Sequence, residues 1–333
     1  MLSVICPIYN EEKYIAKCID SILAQDYPKD DLEVIFVDGM SKDRTREIVA
    51  EYTEKYPFIR LIDNPYKIVP PAMNIGIRAS KGEIIIRLDA HAIFPTNYLS
   101  ELVLNLSELQ AENVGGVCRT LPADSTIVSR GIVHVLSSRF GMGNSDFRVG
   151  VDVIKEVDTV PFGCFRRDLF ERIGYFDEEL VRNQDDEFNG RIIKNGGKIY
   201  LIPHIVIDYF ARDKVSKVYK MFYQYGMFKP LVNKKLGRPA TIRQFFPLLF
   251  VMGLILGPAF FCISDIFVWL YISVVSLYFL MATYFSSRNS RSLKEILTSN
   301  WIYFIVHFAY GWGYIHGILK LIFKSPFRAN SNR

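Results

Sequence analysis

Residues 83–91 run Glu-Ile-Ile-Ile-Arg-Leu-Asp-Ala-His. A near-continuous isoleucine run closed by polar residues predicts a β-strand over 83–88, of the kind found in the parallel interior of a sheet covered on both faces. Toward the N-terminus the pattern repeats as strand and helix in turn. Residues 2–8 predict a buried strand, and 12–25 a helix with Ile15, Cys18, Ile19, Ile22 and Leu23 on one face. A second strand is expected over 32–37, a helix over 43–54, a short strand over 59–62 and a helix over 72–80. Such alternation argues for an open α/β sheet.

Ligands of open α/β sheets gather outside the carboxyl ends of the strands. Three polar closures stand there: Pro7-Ile8-Tyr9-Asn10-Glu11, Asp38-Gly39-Met40-Ser41-Lys42-Asp43 and Asp89-Ala90-His91. They are expected to converge on one rim. Asp89 is the natural ligand there for Mg²⁺ or Mn²⁺, hard cations that take carboxylate oxygens. No GxGxxG follows the first strand, which disfavours a dinucleotide-dependent dehydrogenase.

Composition divides the 333-residue chain. Charged and apolar residues intermingle up to about Arg243, whereas Phe, Leu, Ile, Val, Trp and Tyr dominate from Phe245 to Phe323. Three stretches there, 245–263, 266–285 and 301–323, approach the ~20 residues of a membrane-spanning helix. The first two suggest a hairpin about Ser264-Asp265. Lys229, Lys234, Lys235, Arg238 and Arg243 precede it and Arg288, Arg291 and Lys294 follow it, which favours the cytoplasmic side for both outer ends. The third stretch has basic residues at both ends, with Lys320, Lys324, Arg328 and Arg333 closing it, so a spanning and a re-entrant segment are both open. Residues 214–228 suit an interfacial helix or an ordinary amphipathic one. The net charge of +5 is modest and no basic, aromatic-laced stripe appears, so nucleic acid is not an expected partner. Cys6, Cys18, Cys118, Cys164 and Cys262 show no CxxC spacing and are expected to be reduced and mostly buried. The N-terminal residues lack the pattern of a secretory signal, which predicts a catalytic part facing the cytosol and anchored in the cytoplasmic membrane.

Five motifs occur in series: VICPIYNEEKYIAKCIDSILAQ, VIFVDGMSKDRT, MNIGIRASKGEIIIRLDAH, PFGCFRRDLFERIGYFDE and NQDDEFNGRIIKNGG. Over residues 2–229 they resemble the inverting family 2 glycosyltransferases, and most of all the succinoglycan-type glucosyltransferases. The resemblance implies a GT-A fold, a Rossmann-like open mixed sheet, over residues 1–230, followed over 231–333 by a membrane anchor with two or three transmembrane segments.

It also implies roles for residues. Pro7, Tyr9, Asn10 and Glu11 would touch the nucleoside, and Asp38 would bind the donor base, with Gly39 replacing a second acid. Asn74, near Gly76, Arg78 and Lys81, would lie on the donor side. Asp89 and His91 take the places of the usual Asp-x-Asp, where the imidazole tilts the metal toward Mn²⁺. Alignment on Phe188 and Arg191 puts Asp185 at the place of the catalytic base, which an inverting displacement needs opposite the leaving group. Asp186 is the alternative one residue on. Gln224 and Lys229 would close over acceptor or diphosphate. The activity implied is transfer of a hexose, by resemblance glucose from UDP-glucose, to a hydroxyl of a lipid-linked oligosaccharide. A polyprenyl-phosphate sugar synthase and a non-catalytic membrane nucleotide-binding protein share enough of these motifs to be rivals.

Overall fold

Leu2–Ile8 (β1) is buried at every position and pairs in parallel on both sides, with Leu32–Asp38 (β2) and with Ile84–Arg87 (β4). The computed structural model that shows this describes residues 1–239, 241–288, 290 and 292–327. Arg291, Arg328 and Arg333, named above as flanking charges, lie outside the described residues. In chain order the first elements are β1, Ile15–Leu23 (α1), β2, Thr45–Lys55 (α2), Ile59–Asp63 (β3), Val69–Ala79 (α3), β4, Ala92–Ile93 (β5), Tyr98–Glu108 (α4) and Asn113–Leu121 (β6). Ile127–Leu136 (α5), Arg139–Met142 (α6), Asp146–Val149 (α7), Lys155–Glu156 (β7), Cys164–Arg166 (β8), Arg167–Ile173 (α8), Gln184–Lys194 (α9) and Ile199–Phe210 (β9) follow. Val215–Leu236 (α10), Phe245–Leu256 (α11), Asp265–Ser287 (α12) and Leu293–Ile322 (α13) complete the described chain.

The sheet order is β3-β2-β1-β4-β8-β6-β9-β5, with β7 also on β9. Its first four strands are parallel. β4 was expected inside a parallel sheet, but β8 flanks it antiparallel, so the isoleucine run marks the seam of a mixed sheet. Burial on both faces, and not the direction of the neighbour, is what an apolar run reports. Helix α3 begins three residues before the expected Ala72, because Pro70 and Pro71 occupy its first turn, where no N–H partner is needed. Its Gly76 lies so close to Ile5 and Val37 that a Cβ would meet the Ile5 side chain at 2.5 Å, which lets the helix lie flat on β1 and β2.

By packing, the described residues divide into two units: Met1–Arg119 with Gly150–Tyr209, and Thr120–Val149 with the described residues between Phe210 and Phe327. The first holds nearly all of the sheet. The second is helical, with a core that includes Ile132, Val135, Val218, Phe222, Ile302, Tyr303 and Val306. Here α10 lies along α13 at backbone distance. A Cβ on Gly226 would strike the carbonyl oxygen of Tyr310, and one on Gly313 or Gly317 would strike the carbonyl oxygens of Tyr223 or Met227. Gly311 brings α13 equally close to Pro247 of α11.

Two helical stretches, Ile242–Phe260 and Asp265–Ser287, are long and apolar enough to cross a membrane by length and composition. The third expected stretch is part of the 30-residue α13, whose glycine face is buried on its neighbours. Four of the five cysteines are buried, as expected, and Cys262 is exposed.

Candidate active site

The loops after β1 and β2 are stitched together. Asn10 takes the left-handed conformation (φ 54°). Its N–H donates to Ser41 Oγ at 2.8 Å, while its side chain accepts from Lys42 N–H at 2.8 Å. Glu11 N–H donates to Thr45 Oγ1 at 2.6 Å. Pro7 is buried in β1 and Tyr9 is half-buried beside Gly39.

Asp38 is fully buried at the end of β2. It accepts from Ser41 N–H at 3.0 Å and from Arg46 Nη1 at 2.6 Å, and Arg46 also reaches Asp63 at 2.7 Å. A carboxylate so supplied with donors is held in a fixed direction. Asn74 is also buried, but its amide is taken up by the turn after α8. It donates to Phe176 O and Glu178 Oε1 and accepts from Phe176 N–H, at 2.7 to 3.0 Å. In this structure it therefore ties α3 to that turn.

Asp89 is partly exposed beyond the end of β4. His91 Nδ1 lies 3.5 Å from the buried Glu11 carboxylate, and its ring is 5.1 Å from that of Tyr209. Metal-binding imidazoles commonly turn their other ring nitrogen toward a carboxylate, and Glu11 stands on the Nδ1 side of this ring. Among the described residues no three His, Cys, Asp or Glu side chains gather to cage a metal. A carboxylate and an imidazole are ligand types that Mn²⁺ accepts when diphosphate oxygens and water complete its shell.

Asp185 stands in the first turn of α9, where the helix N-terminus favours an anion. Helix α9 is held by a cluster of rings, with Phe188 centred 4.5 Å from Phe176, 5.3 Å from Phe170 and 5.4 Å from Phe165 of β8. Arg191 closes the same helix, pairing with Glu187 and donating to the carbonyls of Ile173, Gly174 and Tyr175.

Two distant acids meet through a residue that sequence reading passed over. The buried Arg87 Nη1 donates to Asp185 Oδ1, and its Nη2 lies 3.3 Å from Asp89 Oδ1. A guanidinium inside an isoleucine strand requires a carboxylate partner, and that was the available signal. Desolvation pushes the Asp185 carboxyl above its ordinary range; Arg87 opposes the rise, while Asp89 and the adjacent Asp186 add to it. Gln224 and Lys229 belong to the second unit, where both are buried on α10.

The family model described as glycosyl transferase family 2 matches residues 3–174. The chain belongs to that family. This family 2 glycosyltransferase is 32% identical over 242 residues to a Methanococcus voltae protein, dolichyl N-acetyl-alpha-D-glucosaminyl phosphate 3-beta-D-2,3-diacetamido-2,3-dideoxy-beta-D-glucuronosyltransferase, covering 70% of this chain and 74% of the relative. It is 26% identical to succinoglycan biosynthesis protein ExoA of Rhizobium meliloti, over 74% of each chain. Among solved structures it resembles the mannosyltransferase PcManGT of Pyrobaculum calidifontis in complex with GDP-Man and Mn²⁺, with a TM-score of 0.62, 19% identity, and coverage of 97% of this chain and 87% of the other. It also resembles S. aureus TarS 1–349 in complex with UDP, with a TM-score of 0.54, 19% identity, and coverage of 95% and 91%. The expected GT-A fold is thereby borne out.

Proposed function

We propose that this glycosyltransferase moves a hexose, with inversion, from a nucleotide diphosphate donor to a hydroxyl of a lipid-linked glycan at a membrane. The observation that carries the reading is the meeting of Asp89, from the end of β4, and Asp185, from the start of α9, on one buried arginine. The names of the two relatives, one acting on a dolichyl phosphate-linked sugar and the other serving succinoglycan synthesis, support the acceptor class. UDP-glucose is the donor we assign.

In this reading Pro7, Tyr9, Asn10, Glu11 and Asp38 hold the nucleoside. Asp89 and His91 hold Mn²⁺ or Mg²⁺, which when bound offsets the charge of the departing diphosphate. Asp185 takes the proton of the attacking hydroxyl, with Asp186 the alternative. Residues 1–230 form the catalytic part, facing the cytosol, and 231–333 the anchor. Ile266, Trp269, Leu270, Leu277 and Leu280 are exposed along α12, an apolar face that suits lipid. On α10, Gln224 and Lys229 would serve the acceptor or diphosphate.

The test is turnover by purified, detergent-solubilised protein of UDP-, GDP- and dTDP-sugars in the presence of a lipid-linked acceptor. Release of nucleotide with glycan extension is expected, and no turnover of any donor would sink the reading. EDTA is expected to abolish transfer and added Mn²⁺ to restore it, while activity that survives chelation would remove the metal. The pH profile has a sign. The base must be ionised, and its carboxyl titrates above the ordinary aspartate range. As pH falls, kcat/KM, which follows the free enzyme, is therefore lost earlier than an ordinary aspartate would dictate, and an acid limb at or below that range would contradict the assignment.

A further inference from the structure

Arg87 is anchored from both sides. Its backbone pairs with Ile5 of β1, and its N–H donates to Gly163 O at 3.0 Å. The side chain is buried, with its two terminal nitrogens on carboxylates from residues 89 and 185. Its Nε is buried as well and has no hydrogen-bond partner among the described residues. An ion group of this kind is a poor source of stability, because desolvating the charges consumes most of what their attraction returns, and apolar residues of equal volume often do as well. What no apolar residue can do is hold two like charges at a fixed separation. Without a cation between them, Asp89 and Asp185 repel, and the carboxylate at the helix end is free to turn away.

We propose that Arg87 is a positioning residue whose planar guanidinium fixes the Asp185 carboxylate relative to Asp89, so that the base is already aimed when donor and acceptor arrive. The inference rests on the glycosyltransferase reading and deepens it. The rigid fork matters, since a lysine ammonium restores the charge but only part of the geometry.

The experiment compares Arg87→Met, Arg87→Lys, Asp185→Asn and the Arg87→Met/Asp185→Asn double variant in the full chain. It measures kcat, KM, the Kd for UDP with Mn²⁺, and hydrogen exchange of the α9 amides. Misaiming a reacting group costs on the order of 10²-fold, so Arg87→Met is expected to lower kcat by about that factor. KM and the UDP Kd should stay within about threefold, the signature of an interaction that acts in the reaction step. Arg87→Lys should recover about tenfold of the lost kcat, and the double variant should be no slower than Asp185→Asn, because two residues acting as one unit are not additive.

The proposal is overturned by an Arg87→Met kcat close to that of the parent, by UDP affinity lost in step with kcat, by a lysine no better than methionine, or by failure of both Arg87 variants to fold. If the parent protein turns over no donor, it is the glycosyltransferase reading that falls. The placement of Asp185 by Arg87 is then judged from exchange in the same four proteins, where non-additive protection of α9 supports it and additive protection overturns it.

Discussion

Asp185→Asn is expected to lower kcat by about 10³-fold, within the range of a lost general base, while UDP binding is kept. The amide has the volume of the carboxylate, and the rings that hold α9, Phe165, Phe170, Phe176 and Phe188, are untouched, so the loss isolates chemistry from structure. Steady-state transfer with a saturating donor, together with UDP titration, measures both quantities. A variant that transfers sugar at the parent rate would remove Asp185 from the mechanism. It would also favour the rival in which a lipid phosphate is the acceptor, since a phosphate oxygen needs no base to take its proton.

The second large effect is on stability. Phe188 is almost fully buried and stacks on Phe176 and Phe170. Truncating such a ring removes its transfer free energy and leaves a cavity, at a cost of about 3–5 kcal/mol. Phe188→Ala is therefore expected to speed hydrogen exchange of the α9 amides by at least about 10²-fold, since each 1.36 kcal/mol is a factor of ten. Activity should fall with it, because Asp185 rides on the same helix one turn earlier. Unaltered α9 protection would show that the ring cluster does not hold the helix. The three tryptophans, Trp269, Trp301 and Trp312, all lie in the other unit, so fluorescence would miss this opening.

Much of the sheet was legible because its strands are apolar runs closed by polar turns: 2–8, 32–37 and 83–88 fall within a residue or two of β1, β2 and β4. The convergence of their closures follows from parallel pairing and was legible for the same reason. Less visible was anything that depends on chain returning from far away. The antiparallel neighbour of β4 begins at Cys164, and no local pattern in the isoleucine run could announce it. Arg87 stood in plain view as a charge among isoleucines, but of the two acids it meets only Asp89 is near in sequence, and Asp185 is 98 residues distant. Asn74 was assigned to the donor by motif, whereas its bonds to Phe176 and Glu178 depend on a turn more than a hundred residues later. In the apolar region, counting hydrophobic residues found helices but undervalued Gly311-x-Gly313 and Gly317, the spacing that signals close helix contact.

That glycine contact has a mechanical consequence. Where the α10 and α13 backbones touch at Gly226, Gly313 and Gly317, few side chains stand between them to slide or repack, so the pair bends and tilts as a single beam. A lateral push on α13, from lipid or from a neighbouring molecule, is then delivered to α10 at nearly full amplitude and without the slack that a leucine-lined seam would allow.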